Sequence, residues 1–89
     1  MFKEWLVRKI SLEEAEKAHM VLDKRLGPDP LPFGFQYQKW LEFKNQLEEG
    51  DELWKFHSPT ESWQNLCGRA GICILRKGDI VDCMVTTMN

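Results

Sequence analysis

No apolar run in this sequence approaches the roughly 18–20 residues that a membrane-spanning helix needs, so no membrane partner is expected. The N-terminal stretch lacks the features of an export signal too. Glu4, Glu13 and Glu14 interrupt it, and no small-residue cleavage site follows an apolar segment. Cysteine is scarce: Cys67, Cys73 and Cys83 form an odd set spaced Cys-x5-Cys-x9-Cys. That spacing is neither a disulfide framework nor a zinc site built on tight pairs. The thiols are therefore expected to be reduced, buried small hydrophobes in a cytoplasmic protein, with no metal and no cofactor.

Excess charge of one sign is also missing. Twelve Lys and Arg against fourteen Asp and Glu give a net charge of −2, and no basic face gathers that could meet phosphates, which excludes nucleic acid as a partner. With 43% hydrophobic residues the chain is not polar enough for disorder, and one domain over residues 1–89 is the expected organisation. Neither a phosphate-loop pattern nor the D-x-D-x-D-G order of a calcium loop occurs.

Aromatic residues, by contrast, are plentiful: Trp5, Trp40, Trp54 and Trp63, five Phe and one Tyr. A chain of this size buries roughly 64% of its unfolded surface on folding. Each large aromatic contributes about 150–250 Å² of that burial. The aromatics are thus first a means of folding without disulfides, and second a source of interface surface.

Residues 2–10 read as a strand, because Ser11 and Glu14 form a capping box and a capping residue follows extended chain. A first helix is expected over residues 12–26, with Leu12, Ala15, His19, Leu22 and Leu26 on one face, ended by Gly27 and Pro28. Residues 27–34 form a stiff loop with three prolines. Their alternate spacing gives no P-x-x-P ligand. A second helix follows over residues 35–49, its apolar face formed by Tyr37, Trp40, Leu41, Leu47 and the stem of Lys44. Glu48, Glu49, Asp51 and Glu52 then read as a solvated acidic corner.

Residues 52–59 read as a strand with Trp54 and Phe56 on one face and Leu53, Lys55 and His57 on the other. A short helix starts at Ser58-Pro59, with Ser58 as its cap and Trp63 and Leu66 buried, and Gly68 stops it. Residues 71–76 and 79–87 form a hairpin around Lys77-Gly78. A two-residue loop pairs Arg76 with Asp79, Ile74 with Val81 and Ile72 with Cys83. The remaining face, Cys73, Leu75, Ile80, Asp82 and Met84, is half apolar and open to cover by another layer or subunit.

The runs ELWKFHSPTESWQNLCGRAG and ILRKGDIVDCMVTTMN resemble the C-terminal half of short, uncharacterised bacterial cytosolic proteins. Those proteins join an ELW-x-F segment to SP-x-x-SW, GR-x-G and a final hairpin. The resemblance covers residues 52–89; it implies a bacterial cytosolic origin and no catalytic activity.

No nucleophile stands beside a base in a catalytic pattern, so no catalytic residue is assigned. His19 reads as a core histidine. Arg69, in Gly68-Arg69-Ala70-Gly71, is expected to cap the short helix's carbonyls. The one ligand-binding constellation is Trp54, His57, Ser58, Ser62, Trp63 and Arg69, apolar walls with a few polar anchors. The expected fold is α+β, an antiparallel sheet of three to four strands with two main helices on one face, in the order β-α-α-β-short α-β-β. The expected function is a non-enzymatic domain that binds a protein partner or itself as a homodimer. The alternative is a small-molecule or anion-binding domain, or a minor enzyme, using residues 54–69.

Overall fold

Capping chemistry sets the start of the helical layer. The computed structural model describes residues 3–89. In it Ser11 Oγ accepts from Glu14 N at 3.0 Å, and Glu14 Oε1 accepts from Ser11 N at 3.2 Å, opening helix α1 (Leu12–Ala18) directly after strand β1 (Leu6–Ile10). Helix α2 (Tyr37–Lys44), strand β4 (Glu52–His57), the short helix α3 (Thr60–Gln64) and strands β5 (Arg69–Arg76) and β6 (Asp79–Met88) follow. The main sheet is antiparallel throughout, in the order β1-β4-β5-β6. Two-residue strands β2 (Met20–Val21) and β3 (Leu31–Pro32) form a separate ribbon. This is the expected α+β architecture.

One sheet face carries the main core. Ile10, Leu53, Ile72, Ile74 and Met84 point up from the strands against Ala15, Phe33, Trp40 and Phe43. Trp40 is fully enclosed, and its Nε1 donates to Glu16 Oε2 at 2.9 Å, so the indole's one polar atom is satisfied. Lys44 Nζ donates to the same oxygen at 3.1 Å. Its side chain therefore contributes its charge as well as its stem.

The helix expected over residues 12–26 ends at Ala18. Phe33, Trp40 and Phe43 fill the ground above the sheet where Leu22 and Leu26 would have packed, and Leu22 is left exposed. The His19 carbonyl accepts from Phe33 N at 2.7 Å, so the chain turns into the β2–β3 ribbon and not into further helix. A 3-10 turn at Lys24–Leu26 is the remnant of the expected C-terminal end. The second helix is likewise shorter than residues 35–49, entered through a 3-10 turn at Gly34–Gln36. Phe43 joins Trp40 as a core residue that the expected face omitted. Packing of large rings overrides aliphatic periodicity here.

At the other end, the turn is as expected: Lys77 and Gly78 both take positive φ (53° and 84°), and Arg76 pairs with Asp79. A bulge between Ile74 and Leu75 then shifts the expected register by one. Ile74 faces Asp82, Ile72 faces Met84, and Cys73 faces Cys83, with which it forms a disulfide. Two of the three cysteines expected as free thiols are thus joined. Cys67 remains free and exposed.

The second sheet face holds a smaller cluster, with Phe56, Cys73 and Leu75 buried among Trp5, Leu6, Trp54, Ile80, Cys83 and Val85. The chain itself helps to cover it. A 3-10 turn at Lys3–Trp5 precedes β1, and Lys3 Nζ reaches Asp79 Oδ1 at 3.5 Å at the hairpin end. The strand expected over residues 2–10 is therefore strand only from Leu6, and Phe2 lies outside the described residues. The molecule is flat, 39 × 37 × 17 Å, as one sheet and one helical layer require.

The acidic corner is not simply solvated. Arg76 Nε and Nη2 each donate to the Asp51 carboxylate at 2.9 Å, and Arg76 Nη1 lies 2.7 Å from Glu48 Oε2. The Asp51 side chain is 1% exposed. Hydrogen bonds from Arg76 and from Glu48 N hold its carboxyl below the usual carboxylate range.

Candidate functional site

Of the six residues proposed from sequence, five gather around α3. Ser58 is the hub and is 1% exposed. Its Oγ accepts from Arg69 N at 2.9 Å and lies 2.7 Å from Ser62 Oγ, and its amide donates to the Arg69 carbonyl at 2.8 Å. Its carbonyl accepts from Trp63 Nε1 at 3.1 Å and from His57 Nδ1 at 2.8 Å. Since a carbonyl can only accept, this contact puts a proton on His57 Nδ1 and leaves Nε2 for other partners. Ser58 therefore does not cap α3; Pro59 occupies that position without a side-chain bond.

The two rings stack. His57 and Trp63 lie 4.9 Å apart at 23°. Gly68 makes this possible, because a Cβ there would fall inside the Trp63 indole. Asn89 closes the arrangement: Gly68 N donates to its Oδ1 at 2.7 Å, and its Nδ2 donates to the Trp63 carbonyl at 2.6 Å. Leu66, expected to be buried, is 75% exposed with φ of 59°, since the chain needs a left-handed residue to leave α3.

Trp54 and Arg69 do not share a pocket with His57. Trp54 packs on the second face and donates its Nε1 to Glu52 Oε1 at 3.0 Å. His57 pairs with Ala70 in the β4–β5 ladder, so alternation turns the neighbouring Arg69 to the opposite face. Its Nη1 donates to the Gly68 carbonyl at 2.7 Å, beyond the end of α3 at Gln64, so it does not cap that helix's carbonyls as expected.

The concavity beside this network is a cleft of about 360 Å³ on the helix-bearing side, at the sheet end away from the Lys77-Gly78 turn. Val7, His19, Lys55, His57, Thr86 and Thr87 line it, with the β4 and β5 strands at Phe56, Ala70 and Gly71 beneath. Three basic side chains therefore share one hollow. Burial first, and the Lys55 charge second, hold the His19 imidazole below its ordinary range. Its ring stacks on Phe33 with centroids 4.5 Å apart. No carboxylate lines the cleft, and among the described residues Lys55 enters none of the ion pairs. Nor do the described residues hold any group of three His, Cys, Asp or Glu side chains able to share a metal ion.

His19, Lys55, Val7, Thr86 and Thr87 were missed as site residues in the sequence. One signal for them was present: Lys55 and His57 alternate on one strand face. The fold and cleft together define a small antiparallel α+β domain with a basic hollow at one sheet end. Among known proteins, no family model matches the chain, and no curated protein or solved structure is significantly similar to it.

Proposed function

We propose that this is a non-enzymatic interaction domain that associates with a protein partner, in the simplest case a second copy of itself. The observation that supports this is the apolar surface of residues 20–35. Met20, Val21, Leu22 and Phe35 are 46%, 38%, 69% and 65% exposed within one looped segment. Val21 packs against Gly34, which brings the two arms of the segment together, and the Arg25 guanidinium lies 4.9 Å from the Phe35 ring centre. Monomeric proteins rarely concentrate large side chains in this way, and Arg beside an exposed aromatic is typical of association surfaces.

The edges of the main sheet favour this surface over strand addition. Irregularities at Val7, Val81 and Thr86 interrupt both edge strands, which discourages edge-to-edge pairing. Light scattering at high micromolar concentration tests the proposal. The chain is expected to run as a dimer, and Leu22→Asp and Phe35→Asp to return it to a monomer with an unchanged melt. A parent chain that stays monomeric, and behaves identically to both variants on a partner-capture column, would overturn it.

A bacterial, cytoplasmic setting belongs to the same proposal and is supported by the resemblance of residues 52–89 to bacterial cytosolic proteins. Thiol labelling of the chain denatured directly from a cell extract tests it: three labelled cysteines are expected from a reducing compartment, and Cys67 alone, with Cys73 and Cys83 still joined, would overturn the cytoplasmic setting.

A further inference from the structure

We propose that the cleft between Val7, His19, Lys55, His57 and Thr86 binds a small oxyanion, a phosphate or carboxylate head group carried on an apolar body. This site is separate from the interaction surface of residues 20–35 and does not depend on it.

Charge supports the assignment first. In a chain with net charge −2, this hollow is lined by an ammonium and two imidazoles and by no carboxylate. The carboxylates of α1, the helix capped by His19, are committed elsewhere, Glu13 to Lys17 among them. Glu14 accepts from Arg8 and Ser11, and Glu16 accepts from Trp40 and Lys44. Among the described residues Lys55 is thereby left without a carboxylate partner beside Val7, Ala70 and the two imidazoles, so an anion entering the cleft meets an ammonium that none of them has paired.

Preorganisation comes second. His57 is held by the Trp63 ring and the Ser58 carbonyl, which takes Nδ1 and leaves Nε2 to a ligand. His19 is held by Phe33 and makes no hydrogen bond through its ring among the described residues. The Thr87 hydroxyl also has no partner there, and Thr86 Oγ1 has only a long bond of 3.4 Å to the Ala70 carbonyl. Donors are therefore in place before any ligand arrives, the condition under which a small site binds at low entropic cost.

Sheet geometry comes third. Of the three register irregularities in the main sheet, two fall at cleft residues, Val7 in β1 and Thr86 in β6. Bulges re-aim side chains and concentrate next to binding sites. Here they turn side chains toward a common hollow from both edges of the sheet.

The test is a titration of the full chain with inorganic phosphate, phenyl phosphate and benzoate at constant ionic strength, followed by the imidazole proton resonances and by calorimetry. Both histidines are expected to shift together on a single binding curve. Lys55→Gln should weaken binding at least tenfold, and Lys24→Gln, outside the cleft, should leave it unchanged. Lys55 is exposed, so its replacement leaves the fold intact, and the thermal melt verifies this. Tighter binding of phenyl phosphate or benzoate than of inorganic phosphate identifies an organic anion. Equal binding of the two phosphates overturns the apolar body, since the head group alone would then be recognised. The proposal is overturned if no ligand moves either histidine at tens of millimolar, or if Lys55→Gln binds as the parent does. Light scattering on the same samples keeps the result separate from association.

Discussion

Gly68→Ala should be among the most damaging conservative changes in the chain, although Gly68 is not one of the glycines with positive φ. The added methyl would be built into the Trp63 ring, against Cδ2 and Cε3, and a fused indole has no flexible end to move aside. Trp63 must therefore leave its place. It then loses the Nε1 bond to the Ser58 carbonyl, worth about 0.5–1.5 kcal/mol, and the stack on His57, worth about 0.5–1.5 kcal/mol. The sum, about 1–3 kcal/mol, matches the usual cost of overpacking. In a domain of this size each kcal/mol moves Tm by about 4–8 °C, so a fall of roughly 5–20 °C is expected in a calorimetric or circular dichroism melt. Trp63→Ala removes the obstacle, and in that background Gly68→Ala should cost almost nothing more, which shows as a coupling in the double-mutant cycle. A single variant that melts within a degree or two of the parent, or a cycle with no coupling, would refute the argument.

Trp40→Ala should cost about 3–5 kcal/mol in urea denaturation, because it empties the centre of the main core and removes a donor from Glu16. A loss below about 1 kcal/mol would mean that the core collapses into the vacated space. The Glu16 carboxyl is held below its ordinary 4.5, first by the Trp40 indole and also by Lys44. Its folded value is depressed, so its contribution is complete above 4.5 and is lost as pH falls through the lowered value. Urea midpoints measured from pH 7 to pH 3 should therefore fall less steeply for Glu16→Gln than for the parent; equal slopes would contradict this. Reducing Cys73–Cys83 reopens a loop of sequence separation 10. Chain entropy values such a closure at up to about 3 kcal/mol, so melts with a phosphine reductant should fall in Tm, and an unchanged melt would show that strand pairing alone closes the hairpin.

The parts of the fold legible in the sequence are those fixed by local chemistry. Ser11 and Glu14 form both bonds of the capping box, Lys77-Gly78 makes its turn with Arg76 opposite Asp79, and the alternation of residues 52–57 assigns both faces of β4 correctly. What failed depended on partners distant in sequence. Leu22 and Leu26 have a helical spacing, but Phe33 and Trp40, from another segment, occupy the space that helix would need. The hairpin register failed for a different reason. A bulge has no residue signature of its own, and a single extra residue at Val81 was enough to turn Met84 into the core and set Cys83 opposite Cys73.

The same distinction separates the two halves of the candidate site. His57, Ser58, Ser62 and Trp63 lie within seven residues, and their proximity could be read from the sequence. The polar groups of Ser58, Ser62 and Trp63, however, are largely spent on one another, on His57 and on the backbone of β5, which makes these three a support, and of the four only His57 lines the hollow. The open hollow beside them is assembled from four strands and a helix end. His19 enters it only because α1 stops at Ala18, and Val7 and Thr86 only because β1 and β6 break register beside it. The first of these departures reverses the helix expected over residues 12–26, and the other two break the regular alternation of their strands. A hollow whose basic residues come from the helix end and from β4, and whose remaining walls come from the two broken edges, is therefore built by the irregular parts of the fold. The regular parts hold it in place: Ile72 and Ile74 below the helices, and the Ser58 hub that fixes the His57 ring.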